Sequence, residues 1–358
     1  MSIQTTVIGS FAKPHYLKIP DWFKGGPNRL TTGYDVDNYT NYYKNIPPNH
    51  EYNLIKAIKS VIELQDEIGI NILTDGELRR EHYINYHLRH LCGIDFKILT
   101  KKMSRNNAYT HLSPTIIGKI KPKEHFLTFN WKTSKLFTKK DVKITIPGPM
   151  TIIDTFYNKY YSNKIDLLHD LSKAINYEIL HLVENGCKHI QIDEPLFARN
   201  PEDAIKFGIK FIEKCFENVP TNVCKIVHIC CGYPDKLNKT DYPKADPKTY
   251  LQIVEALDNS CIDTISLEDA HRHNDLELFS KFKKTSIILG VINISNTRIE
   301  SIKEIKDRIY EILKFIPPNR LIIGPDCGLA MLPTDICIQK LKNMVEATKQ
   351  VNQENQFS

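Results

Sequence analysis

Eight short runs rich in β-branched and aliphatic residues, at 5–8, 70–74, 142–146, 189–193, 225–228, 263–267, 286–290 and 320–323, alternate with longer amphipathic stretches. The stretches between them, 51–68, 165–184, 201–216, 247–257, 274–282, 301–315 and 333–348, carry apolar residues at helical spacing, as Leu167, Leu171, Ile175, Ile179 and Val183 do. Such alternation predicts βαβ units and a parallel sheet, because parallel neighbours are joined only through a crossover. Eight repeats favour a closed (β/α)8 TIM barrel over an open doubly wound sheet. A dinucleotide-binding sheet needs a glycine-rich turn after its first strand, and Gly9-Ser10-Phe11 does not supply one. A chain of 358 residues suits one catalytic barrel spanning 1–358.

Two stretches break the repeat. Residues 14–49, rich in Pro, Gly, Asn and Tyr, read as a long loop. Residues from about 93 to 140 contain alternating segments such as 116–120 and 126–130, which predict an inserted β-hairpin or small cap region. Insertions of this length are usually functional lids or disordered.

The net charge of +6 is spread among acidic neighbours in short Lys runs, the pattern of a solvated face. No nucleic-acid partner is expected from it. No apolar run is long enough to span a bilayer, and the N-terminus lacks a leader's basic and apolar regions. A cytoplasmic protein with no membrane partner is the expectation. In that reducing setting, grouped cysteines among the nine suggest metal binding or catalysis before disulfides.

Polar residues gather where the strands end. Ser10 follows the first; Asp75 and Glu77 the second; Gly148-Pro149 the third; Asp193 and Glu194 the fourth; His228 and Cys230 the fifth. Glu268 and Asp269 end the sixth, Ser295 lies beyond the seventh, and Asp326 and Cys327 end the eighth. In a barrel all of these converge on the C-terminal face, where such enzymes place their active sites. His228 and Cys230 are two apart and so share a face, and Glu268 and Cys327 can reach the same centre. Two thiolates, an imidazole and a carboxylate suit Zn2+, since soft sulfur disfavours Mg2+ and Ca2+. Each residue also has a structural alternative: a core histidine, a small buried hydrophobe, a helix-capping acid. Cys231 competes with Cys230 as the ligand, and the period of two favours Cys230.

The motifs Thr5-Thr-Val-Ile-Gly-Ser10, Thr74-Asp-Gly-Glu77, Gly148-Pro-Met-Thr151, Gln191-Ile-Asp-Glu-Pro195, His228-Ile-Cys230, Glu268 and Pro325-Asp-Cys-Gly328 carry a resemblance. Across nearly the whole chain the sequence resembles the catalytic barrel of cobalamin-independent methionine synthases, in a single-barrel form without the second, N-terminal barrel. The resemblance implies a zinc-dependent S-methyltransferase that moves a methyl group to the thiol of homocysteine, forming methionine. His228, Cys230, Glu268 and Cys327 match the family's zinc ligands; Ile8, Ser10, Glu77 and Asp193 match positions that hold homocysteine.

Three departures fall on the side of the methyl donor. Ser295 stands where two-barrel members place a proton-donating histidine, Thr155 where a tryptophan stacks on folate, and Arg199 where an acid meets the folate ring. A folate leaving nitrogen needs a proton and a reduced corrinoid does not, so the donor partner is 5-methyltetrahydrofolate or a methylcorrinoid protein. His271 and His273 are candidate proton donors. His87 and His90 share a helical face, but two histidines without a carboxylate are weak metal ligands. The alternatives are another zinc thiol alkyltransferase of the epoxyalkane:coenzyme M transferase type, a zinc hydrolase, and a non-catalytic barrel with structural zinc. Glu77 and Asp193 disfavour the first, because a sulfonate thiol has no amino group to bind.

Overall fold

The computed structural model describes residues 2–24, 39–104, 109–234, 236–239 and 241–356; within the predicted loop 14–49, residues 25–38 lie outside the described residues. Eight parallel strands form one sheet: β1 (Gln4–Thr5), β2 (Ile72–Thr74), β3 (Asp141–Pro147), β4 (His189–Asp193), β5 (Cys224–Ile229), β6 (Thr264–Leu267), β7 (Ser286–Ile292) and β8 (Leu321–Pro325). Their order is β1-β8-β7-β6-β5-β4-β3-β2, and a parallel bridge from Thr6 to Ile72 joins the two ends. The sheet is an α/β barrel of the TIM type, as the alternation predicts.

The first strand is shorter than the pattern 5–8 suggests. Past Thr6 the backbone leaves the ladder, and a side chain takes over: the Ile8 carbonyl accepts from Gln191 Nε2 at 3.1 Å. The stretch 93–140 divides in two. Leu91–Ser104 and Tyr109–Pro122 form an antiparallel hairpin with Tyr157–Asn158 alongside, whereas Leu127–Lys135 is a helix packed on β3. The segment 201–216 is not one regular helix, because residues 204–208 take a π-helical turn.

Helices cover the sheet through one apolar face each. In α1 (His50–Ile68) the buried residues are Leu54, Ala57, Ile58, Val61, Ile62, Gln65 and Ile68, and Gly69 ends it in the left-handed conformation. The buried Gln65 amide accepts from the Thr74 N–H and donates to the Thr74 carbonyl, both at 2.9 Å, and so joins α1 to the end of β2. In α2 (Ile302–Leu313) a complete capping box, Ser301 with Glu304, satisfies the first turn.

The core has two layers. Outward residues of the strands, such as Val227 and Ile229, join the large cluster under the helices; Ile8, Ile226 and Ile288 form a separate cluster with Cys224 and Ile322 inside the barrel. The inner layer is short on apolar residues towards the C-terminal face, where Lys143, Thr145, Gln191 and His228 are buried instead.

Candidate metal centre at the barrel mouth

The strand ladder sets the site. Pro147 pairs with Asp193 and Asp193 with His228, so the ends of β3, β4 and β5 stand side by side. His228 is buried, and its Nδ1 lies 2.9 Å from Ser266 Oγ on the neighbouring strand. That leaves Nε2 facing Cys327 Sγ at 3.5 Å, while Cys327 Sγ lies 3.6 Å from Cys230 Sγ. The ligand atoms of His228, Cys230 and Cys327 lie within 4.8 Å of one another. A tetrahedral zinc ion with bonds of about 2.3 Å to sulfur and about 2.0 Å to nitrogen would space these atoms roughly 3.5–3.8 Å apart. The trio has the spacing of three corners around such an ion.

Burial pushes the His228 imidazole down to about 3, which keeps it neutral with a lone pair to offer. The Cys327 thiol is pushed up by its hydrogen bond with Cys230 and by burial. Crowded, dry sulfurs resist ionisation, and a divalent cation between them reverses that cost. Ser266 orients the imidazole, so Ser266→Ala is expected to lower Zn2+ affinity roughly 10–100-fold, measured by competition with a chelator.

Glu268 stands beside the trio. Its Oε1 accepts from the Cys231 N–H at 3.0 Å and lies 3.1 Å from Cys230 Sγ, while Oε2 pairs with Lys244 Nζ at 2.6 Å. Cys231 points elsewhere: its Sγ lies 3.1 Å from the Tyr250 hydroxyl, which donates to the Ile229 carbonyl at 2.6 Å.

A cavity that opens to solvent lies next to the trio, lined by Ile8, Ser10, Glu77, Asp193, His228, Cys230 and Cys327. Glu77 follows β2 in a left-handed conformation (φ 56°) that costs a glutamate energy. Asp75 holds the turn by accepting from the Glu77 N–H at 3.0 Å. The Glu77 carboxylate accepts from the Thr145 hydroxyl at 2.6 Å, and Arg80 Nη1 is 3.3 Å away. A Cβ on Gly9 would collide with that carboxylate, and one on Gly328 would collide with Ser10 Oγ. Asp193 accepts from Gln191 Nε2 at 2.6 Å. Burial, and then the charge of Glu77, raises Asp193 to about 7. Two acids facing one cavity with mutual repulsion make a site for a cation, and an ammonium group placed by them offsets that repulsion.

Other acids at the strand ends serve the scaffold. Glu194 accepts from the Met150 and Thr151 N–H groups at 2.9 Å each and caps the helix Pro149–Thr155. Asp269 is paired with Arg308 at 2.6 Å, and Asp326 accepts from three successive N–H groups, Asp269 to His271. Of the candidate proton donors, His271 is half-buried, 3.2 Å from the Tyr242 hydroxyl, and His273 is exposed; neither lines the cavity. Burial pushes His271 down to about 4. The Ser295 hydroxyl donates to Asn293 at 2.7 Å, and the Thr155 hydroxyl to its own helix at 2.8 Å. Arg199 does line the cavity. His87 is buried with Nδ1 on the Tyr83 carbonyl, and His90 pairs with Glu124, so the two serve different partners.

Sequence reasoning missed most of the aromatic wall: Trp22, Phe23 and Tyr233 line the same cavity, together with Tyr83 from the stretch beyond the second strand. Trp22 and Phe23 sit in the segment read as a loop, and their adjacency in a polar stretch was the available signal. It also missed Ser266, Thr145 and Gln191, each two residues before a strand-end position and therefore on the same face.

The model describing the catalytic domain of cobalamin-independent synthases matches residues 37–208 and 246–350. Methionine synthases of Saccharolobus solfataricus and Sulfolobus acidocaldarius are each 32% identical over 355 residues, 98% of this chain and 96% and 93% of theirs. Among solved structures, a B12-independent methionine synthase from a Shewanella species, in complex with selenomethionine, superposes with a TM-score of 0.86 at 26% identity, covering 99% of each chain.

Proposed function

We propose, from the premise that this chain belongs to the cobalamin-independent methionine synthase family and is a methyltransferase, that it transfers a methyl group to the thiol of homocysteine at a zinc ion. His228, Cys230 and Cys327 would hold the ion, with Glu268 as fourth ligand. The observation that carries this is the trio itself, an imidazole and two thiols at ion spacing, opening onto a cavity that also holds two buried acids. Bound zinc supplies deprotonation of the substrate thiol, whose ordinary pKa is about 8.5.

The chain's own residues do the rest. Glu77 and Asp193 receive the α-amino group, and Ser10 with the backbone around Ile8 faces the carboxylate. The rigid strand ends hold the sulfur for in-line attack, where positioning supplies most of the acceleration. The aromatic wall of Trp22, Phe23 and Tyr233 keeps water from the sulfur. The selenomethionine complex of the Shewanella protein supports this reading, since selenomethionine is the selenium counterpart of the proposed product. Nine free cysteines fit a cytoplasmic setting. None of the helices among the described residues is long and apolar enough to cross a membrane.

The donor is 5-methyltetrahydrofolate or a methylcorrinoid. Among the described residues His228 is the one histidine lining the cavity, and the Ser295 hydroxyl is engaged by Asn293, which supports a leaving group that departs without a proton. Single turnover with zinc-loaded protein, homocysteine and each donor tests this. Methionine from methylcobalamin at a rate well above the folate rate is the expected result. Efficient turnover of methyltetrahydrofolate by the protein alone would reverse the order, and no methionine from either would overturn the methyl-transfer reading.

A further inference from the structure

Lysine is rarely fully buried unless paired, yet Lys143 in β3 is 0% exposed inside the barrel. The one hydrogen bond of its side chain among the described residues is to a neutral group, Gln191 Oε1 on β4, at 2.6 Å. A methionine would fill the same volume without the desolvation cost of an ammonium, so packing does not account for the residue.

The amide of Gln191 gives the reason. Burial pushes the Lys143 ammonium down to about 7 and the charge of Asp193 opposes that; in its charged form it only donates, and the carbonyl side of the amide faces it. The NH2 is then turned the other way, and its two hydrogens meet two acceptors: Asp193 Oδ1 at 2.6 Å and the Ile8 carbonyl at 3.1 Å. A flipped amide would set NH2 against ammonium and oxygen against two oxygens, losing all three contacts. Lys143 therefore reinforces the rotamer that these two acceptors favour, in which Gln191 grips both Asp193 and the end of β1. In the closed sheet β1 and β4 are separated by β2 and β3, so this grip crosses the barrel interior. Ile8 has left the ladder at that point, and Gln191 supplies the partner for its carbonyl.

We infer that Lys143 and Gln191 are positioning residues that fix the amino-group subsite, setting the carboxylate of Asp193 relative to the backbone at Ile8 and so selecting thiols that carry an α-amino group. The inference rests on the homocysteine reading above.

The test compares homocysteine with 4-mercaptobutyrate, which keeps thiol and carboxylate and lacks the amino group. Lys143→Met is expected to raise KM for homocysteine about tenfold while kcat changes less than about threefold, the signature of lost binding rather than lost chemistry. The inhibition constant of 4-mercaptobutyrate should stay put, as should zinc content. Gln191→Met breaks the same link from its other end and should do the same. The double variant should be no worse than Gln191→Met alone, because Lys143 acts through the amide. Equal losses for both thiols, or losses that multiply in the double variant, would overturn the inference, as would an unchanged homocysteine KM. A wild-type protein that does not bind homocysteine at all would instead sink the underlying reading, and this inference with it.

Discussion

Replacing Cys327 with alanine is expected to abolish methyl transfer, with kcat/KM falling by roughly 10³-fold or more, beyond the 10–100-fold typical of losing a residue that only supports a ligand. Cys327 is the hub of the trio, lying 3.5 Å from His228 Nε2 and 3.6 Å from Cys230 Sγ. Without it the remaining donors are one imidazole, one thiol and the Glu268 carboxylate, whose second oxygen is engaged by Lys244 at 2.6 Å. Zinc content measured after gel filtration should fall in parallel with activity. The fold should survive, since the barrel rests on its strand ladder and the core under the helices rather than on a metal. A thermal melt of the metal-free wild type and of the variant should therefore coincide within a few degrees. A variant that keeps both its zinc and its activity would remove Cys327 from the site.

The second large effect is expected at the acids. Asp193→Asn should raise KM for homocysteine at least about 30-fold, because losing one charge that faces a buried ammonium costs about 2–5 kcal/mol, and each 1.4 kcal/mol is about tenfold. The change in kcat should be far smaller, since the amino group is bound alike before and during methyl transfer. Asparagine keeps the size of the side chain and can still accept from Gln191 Nε2, so the scaffold contact at 2.6 Å has a replacement. Steady-state kinetics with homocysteine as the varied substrate measures it. Zinc content separates the two variants: the Cys327 change should empty the metal site, and the Asp193 change should leave it filled. A kcat that falls as far as KM rises would mean that Asp193 takes part in the chemistry.

The barrel was legible because it is written in periods. Leu167, Leu171, Ile175 and Ile179 mark one helix face, and all four are buried in the helix Lys164–Glu184. Strand ends were legible because polar residues appear there in an otherwise apolar alternation, and three of the four anticipated ligands meet at ion spacing. Glu268 shows where spacing stops being informative. Its position after β6 brings it to Cys230, but its second oxygen is taken by Lys244, which reaches it from a loop no period describes. Glu194 and Asp269 stand at strand ends in the same pattern as Asp193, without a role that the sequence assigns them. In the folded chain one caps a helix and the other is paired with Arg308, partners that lie far away in sequence. Trp22 and Phe23 escaped because a loop's path is set by tertiary contacts, here with His82 and Tyr233. Lys143 escaped because a lysine in a strand is read as exposed until its burial is seen.

The central claim is that a metal held by His228, Cys230 and Cys327 takes the substrate's sulfur. X-ray absorption at the zinc K-edge, recorded on zinc-loaded protein before and after homocysteine, tests it most directly. Two sulfur neighbours should be counted before homocysteine is added and three after it. An unchanged sulfur count at saturating homocysteine would contradict the account, as would zinc with no sulfur neighbours in the resting protein.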